Sequence, residues 1–286
     1  MKTLLVVVSL FLACIVPLQA TACTLFAATG QDYVEQGGSL LIKVRDFRPY
    51  HQKGAMMIPV SGYRYYGLFS GKYYSFLAAG VNEKGLVACT STAGSVPKAQ
   101  RGIFSWYHRA GKPDALEYIL RFCASVDQVL RIKTQIYNHP VNLMVADKDK
   151  IAYLEILPTG QQAVKVVTSG TLAHTNHYLL PESLAYNTKI GTSSAHRYAR
   201  ITDLLSHSDR PFTLDDFIAF SEDKNEGPDN SIYREGKDLD KSVQTVAVFG
   251  VRLQENGKVI LYLKCRRSPQ DKGVEEILEP TELNFY

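Results

Sequence analysis

Short apolar runs divided by glycine and turn residues, and gathered into blocks with helical segments between them, most constrain how this chain can fold. Runs at 24–29, 39–44, 55–60, 76–81 and 86–90 carry Leu, Ile, Met and Val, and an aromatic run over 63–74 is punctuated by Gly67 and Gly71. Asn82-Glu83-Lys84-Gly85 reads as a hairpin connection with glycine last. Asp114 with Glu117 predicts a capped helix over 115–124, placing Leu116, Ile119, Leu120 and Cys123 on one face. Ser125 with Gln128 repeats the pattern for 126–135. Strand runs return at 142–146, 151–156 and 163–168, a predicted meander, and at 171–175. Helices over 194–205 and 214–220 lead to a closing hairpin, 245–253 and 258–264, across Gln254-Glu255-Asn256-Gly257. Segregated blocks without βαβ alternation predict an α+β fold of two face-to-face, mainly antiparallel sheets with helices outside.

The first residues read as a targeting segment. After Lys2, residues 4–16 are almost wholly apolar, with Ser9 the clear break, and Ala20-Thr21-Ala22 is a small-x-small cleavage pattern. The run is shorter than the roughly 20 residues a spanning helix needs, and no later stretch approaches that length. The expectation is a signal peptide over 1–22, cut between Ala22 and Cys23, and one catalytic domain over 23–286 in the periplasm or outside the cell. An uncleaved anchor is the competing reading.

The 32 Lys+Arg and 28 Asp+Glu give a formal charge of +4. No basic run is longer than Arg266-Arg267, so a nucleic-acid partner is not expected. The pair His174 and His177 lacks a third ligand for catalytic zinc and no C-x-x-C exists, so neither metal nor organic cofactor is expected. Cys14 leaves with the signal. Cys89, Cys123 and Cys265 lie in apolar stretches and read as buried thiols, with one disulfide among them left open.

Cys23 would then begin the mature chain. A terminal cysteine carries a thiol, with a pKa of about 8.5, and an α-amine, at about 7.7–8.0, on one residue. The amine takes the thiol proton, so a single residue supplies nucleophile and base. An amide nitrogen is not a base, so cleavage would be the activating step. Three other readings stay open: an incidental residue after the cut, a lipid-attachment cysteine with Ala20 where a larger aliphatic is usual, and a papain-type pair with His174 or His177.

Companion motifs follow in order: Lys43-Val44-Arg45-Asp46, Gly80-Val81-Asn82-Glu83-Lys84-Gly85-Leu86, Thr90-Ser91-Thr92, His174-Thr175-Asn176-His177-Tyr178 and Ser193-Ser194-Ala195-His196-Arg197-Tyr198. From Cys23 to about 253 this set resembles the N-terminal-nucleophile amide hydrolases. It is most similar to the penicillin acyltransferase group of cysteine peptidases and amidases, with bile salt hydrolases more distant. The resemblance implies a four-layer αββα sandwich and an N-acyl amide as small-molecule partner. It is compatible with a homo-oligomer.

By the same resemblance Cys23 is the nucleophile, and Asp46 holds the α-amine. Asn176 and the Thr92 backbone N–H form the oxyanion hole, and Arg197 orients the site. Each has a plain alternative: a strand-end ion pair for Asp46, a turn amide for Asn176, a surface cation for Arg197. Relatives often show Arg-Asn-x-Asp where this chain has Lys43-Val44-Arg45-Asp46. Lys43 keeps a cation without the planar fork, and Arg45 belongs to the other face of the strand from Asp46. Both are expected to bind substrate. The implied reaction is thiolate attack on a linear amide, then release of the thioester to water or to an amine.

Overall fold

The computed structural model describes residues 22–71, 73, 76–101, 114–133, 136, 137, 139–238, 241–265 and 275–286. The expected signal segment, except Ala22, lies outside them, as do Cys14, Tyr74, Gln135 and Arg266-Arg267.

The chain runs through β1 (Ala22–Thr29), β2 (Ser39–Phe47), β3 (Gln52–Met57), β4 (Tyr65–Ser70), β5 (Phe76–Asn82) and β6 (Val87–Thr92), then α1 (Lys98–Arg101), α2 (Ala115–Phe122) and α3 (Val126–Leu130). It continues through β7 (Val141–Ala146), β8 (Ile151–Ile156), β9 (Gln162–Val167) and β10 (Gly170–His174), and through α4 (Thr192–Ser206), α5 (Leu214–Ser221) and α6 (Gly227–Asn230). It closes with β11 (Gln244–Leu253), β12 (Val259–Cys265) and β13 (Glu276–Glu282).

The strands form two antiparallel sheets, ordered β10-β1-β2-β11-β12-β13 and β3-β4-β5-β6-β7-β8-β9. Leu25, Leu41, Phe249, Val251 and Leu261 of the first sheet meet Leu68, Val81, Met144 and Ile151 of the second in a central apolar layer. On the outer face of the seven-stranded sheet, Leu116, Ile119 and Leu120 of α2 with Val126 and Val129 of α3 cover Leu77, Leu143 and Leu154. On the outer face of the six-stranded sheet, Ile201 of α4 with Leu214 and Phe217 of α5 cover Phe26, Leu40, Ile42 and Val248. Helix, sheet, sheet, helix is the expected four-layer α+β sandwich. Among the described residues no helix is long and apolar enough to cross a membrane.

Several boundaries differ from the sequence expectation for physical reasons. The run at 55–60 is a strand only to Met57, starting at Gln52. Pro59 cannot donate to a ladder, and Ile58 and Val60 are exposed. The residues 276–282, with Glu276, Glu279 and Pro280, did not read as a strand, yet they form the edge strand β13. Its register shifts between Leu261 and Leu263 where Pro280 falls, which is where a sheet tolerates proline. Asp114 caps Leu116 N–H, while Glu117 pairs with Arg121 instead of closing a box. A complete capping box forms at Thr213 and Asp216. Cys23, Cys89, Cys123 and Cys265 are all free and buried, so the open disulfide is not formed among them.

The meander β7-β8-β9 holds as expected, but β10 leaves it. Between Val167 and Gly170 the chain crosses from one sheet to the other, and β10 pairs with β1. That crossing delivers the segment after His174 to the start of β1.

Candidate active site

The register of β1 and β2 sorts the candidate residues onto two faces. Cys23 lies opposite Arg45, and Leu25 opposite Lys43, so these four side chains share the face toward the second sheet. Ala22 lies opposite Asp46, which therefore turns to the face under α4 and α5. Cys23, Lys43, Arg45, Asp46, Asn176 and Arg197 are all buried.

Asn176 follows β10 in the loop 175–178. Its Oδ1 accepts from the backbone nitrogen of Cys23 at 2.9 Å, and its Nδ2 donates to the Thr92 carbonyl at 3.0 Å. The Asn176 backbone is pinned as well: its N–H donates to Ser194 Oγ at 2.9 Å, and its carbonyl accepts from Ser95 N–H at 3.1 Å. A Cβ placed on Gly94 would come within 3.2 Å of both Asn176 Cβ and its carbonyl oxygen, so glycine permits this approach. Thr92 is half-buried and Gly94 exposed, making this the side of the site that meets solvent.

Arg197 enters from the first turns of α4. Nη1 donates to the Cys23 carbonyl at 2.6 Å and to Thr24 Oγ1 at 2.8 Å, Nη2 to Asn176 Oδ1 at 2.9 Å, and Nε to Ser193 Oγ at 3.2 Å. One guanidinium fork thus sets the spacing between Cys23 and Asn176, a task its planar geometry suits.

Asp46 Oδ1 accepts from Thr245 Oγ1 at 2.8 Å. Its Oδ2 lies 4.0 Å from Arg197 Nη1 and 3.9 Å from Arg234 Nη1, and is buried without a hydrogen-bond partner. Burial pushes the carboxyl of Asp46 upward, against the pull of Arg197 and Arg234. Arg234 was not among the sequence candidates. It belongs to an irregular stretch after α6, exchanges hydrogen bonds with Thr245 across the start of β11, and reaches Asp46 only because β11 pairs with β2. No motif or periodicity marks it.

The two expected substrate cations have different surroundings. Lys43 Nζ donates to the Thr90 carbonyl of β6, and its side chain shares one face of the paired strands with the neighbouring Cys23. Arg45 is held by Gln52 Oε1 at 2.9 Å and Ser70 Oγ at 2.7 Å, with Phe47 and Phe76 rings 5.3 Å from its guanidinium carbon.

The histidines turn elsewhere. His174 places Nε2 2.8 Å from Glu155 Oε1 and Nδ1 3.1 Å from the Thr175 carbonyl. Burial opposes the Glu155 charge, but bonds from His174, Ser183 and Leu179 N–H hold its carboxyl below the usual range. His177 Nδ1 sits 2.9 Å from Ser194 Oγ, and burial depresses its pKa to about 4. Among the described residues no three His, Cys, Asp or Glu side chains form a metal-binding group.

Cys23, Asp46, Thr92, Asn176 and Arg197 therefore lie in one connected network, with Lys43 on the sulfur side and Arg234 on the carboxylate side. The sequence model described as acyl-coenzyme A:6-aminopenicillanic acid acyl-transferase matches residues 34–266. The chain belongs to this family. The family span contains every residue of the network except Cys23, which precedes it. As a member of the family, an N-terminal-nucleophile group, the chain is an enzyme of the amidase and acyltransferase type. Among solved structures it is similar to penicillin V acylase from Agrobacterium tumefaciens, at 16% identity and a TM-score of 0.45, covering 84% of this chain and 82% of that one. No curated protein matches the chain.

Proposed function

We propose that this protein is an exported cysteine amidase that hydrolyses a linear N-acyl amide through a thioester on Cys23, after removal of residues 1–22. The carrying observation is that one buried amide, Asn176, contacts both the nitrogen of Cys23 and the guanidinium that holds the Cys23 carbonyl.

With Ala22 gone, the nitrogen of Cys23 becomes an amine. Asp46 Oδ2, buried beside that strand end and without a donor, is the acceptor we assign to it. The amine takes the thiol proton, the sulfur attacks the carbonyl, and the protonated amine then donates to the leaving amine. Asn176 Nδ2 and the Thr92 N–H are the donors we assign to the oxyanion, worth roughly 3–4 kcal/mol for a donor of this kind. Arg197 keeps Cys23 and Asn176 in register. Lys43 and Arg45, on the sulfur's face of β2, are the cations we assign to the incoming substrate. We place the mature enzyme in the periplasm or outside the cell. A second reading, transfer of the acyl group to an amine instead of water, is favoured by the name of the family.

Mass measurement of the mature N-terminus tests the reading, with an unmodified Cys23 expected. A lipid on Cys23 or a retained leader in the active form would overturn it. Cys23→Ser is expected to abolish turnover without unfolding the chain. Product analysis with and without an acceptor amine separates hydrolysis from transfer.

A further inference from the structure

Beside Cys23, on the same face of the neighbouring strand, lies a second basic nitrogen, that of Lys43. Lys43 reaches the inter-sheet layer from β2 and meets the Cys23 side chain there. The Thr90 carbonyl on β6 takes one Nζ hydrogen and so aims the rest of the amine. In its neutral form Nζ has one lone pair, kept from water because Lys43 is 1% exposed, with the Cys23 thiol on the same face of the next strand.

We propose that Lys43 is a second acid–base group for Cys23, taking the Sγ proton onto Nζ so that sulfur attacks as the thiolate. This rests on the nucleophile reading above. The S–H bond breaks, its electron pair stays on sulfur, and an N–H bond forms, turning amine and thiol into ammonium and thiolate with no other reactant. On this route the α-amine of Cys23 enters as the ammonium and protonates the leaving amine; when water cleaves the thioester, the freed α-amine takes the water proton and Lys43 returns its own proton to sulfur.

The surroundings suit an amine that exchanges a proton. Burial works against the Lys43 ammonium, as does Arg45 on the same strand, while Cys23 from β1 and Cys89 from β6 favour it. The Asp46 carboxylate projects from the other face of β2 and interacts with Lys43 across the strand. Arginine here would be a fixed cation, unable to accept a proton from sulfur. Lysine at position 43 thus changes the chemistry beside the nucleophile as well as the shape of the cation.

Thiol labelling tests this apart from catalysis. A chain verified by mass to carry Ala22 has an amide at Cys23, so its own nitrogen cannot act as base. Labelling of its Cys23 by iodoacetamide is followed at pH 7. Lys43→Met is expected to slow labelling at pH 7 by about tenfold or more. Equal labelling rates in this chain and its Lys43→Met variant overturn the proposal. In the mature enzyme, Lys43→Arg should lower kcat about tenfold or more at unchanged KM. Full activity in Lys43→Arg would leave only a fixed charge and overturn proton transfer. Activity surviving in Cys23→Ser would instead defeat the nucleophile reading, while the labelling result would still report on Lys43.

Discussion

Asp46 Oδ2 lies 3.9 Å from Arg234 Nη1, fully buried, with no hydrogen bond to satisfy it. A carboxylate oxygen left so placed between two guanidiniums is costly unless a further donor arrives. The strand register puts Ala22 opposite this residue, so the proposed loss of the leader would change the chemistry beside Asp46 directly. Arg234 then shares with Arg197 the task of keeping Asp46 charged against the pull of burial.

Arg234→Gln should weaken that hold. The expected result is a kcat/KM lower by about tenfold or more, with a chain that still folds, since the side chain makes no other ion pair among the described residues. Steady-state kinetics together with a thermal melt check it. Unchanged kcat/KM would remove Arg234 from the site.

Arg197→Lys preserves charge and discards the fork. A lysine cannot reach the Cys23 carbonyl, Thr24 and Asn176 together, so Cys23 and Asn176 should lose their common brace. Turnover should fall by about tenfold or more, and the melting temperature should fall with it because a lysine leaves part of these buried acceptors without the donor Arg197 supplied. Equal activity and melting in the variant would show that charge alone matters there.

Asn176→Ala removes the amide that contacts Cys23, Arg197 and Thr92. If Asn176 is the oxyanion donor proposed above, the expected effect is a loss of roughly 10²–10³ in kcat with KM little changed. Gly94→Ala should act on the same group at a distance, by crowding Asn176 at 3.2 Å while the bonds from Ser194 and Ser95 prevent its retreat. A smaller loss of kcat is expected there. An inactive Asn176→Ala beside a fully active Gly94→Ala would show that the crowding is relieved elsewhere.

His177 supplies a pH limit. Its folded pKa, about 4, is below the ordinary value of about 6.5, so the folded state binds fewer protons between those values. Its contribution to stability is full above the unfolded value and is lost as pH falls toward 4. A neutral ring lets Nδ1 accept from the Ser194 hydroxyl, which itself receives the Asn176 N–H, so protonation also disturbs the loop at Asn176. Melting temperatures from pH 7 to 4 should decline in the wild type and decline less in His177→Gln. Parallel curves would exclude His177 as the source.

The chain's local chemistry determined a good deal by itself. Alternating apolar runs, turn residues and two helical blocks specify strands, hairpins and an α+β sandwich, because side-chain periodicity decides which faces are buried. The motifs around Cys23, Asp46, Thr92, Asn176 and Arg197 were legible for a related reason: each sits at or near the end of a strand or in the opening turns of a helix, where sequence spacing fixes position. Even the separation of Arg45 from Asp46 onto opposite faces follows from the strand alone. What only the tertiary structure decided depends on pairing between distant segments. The crossing of β10 to the first sheet brings Asn176 to Cys23, and the pairing of β11 with β2 brings Arg234 to Asp46. The face-to-face packing of the sheets sets the Thr90 carbonyl against Lys43. The edge strand β13 is likewise stabilised by a neighbour and not by its own composition, since its ladder is formed with β12. Such contacts join residues far apart in the chain, and the choice among partners is made by burial and hydrogen-bond satisfaction in the folded whole.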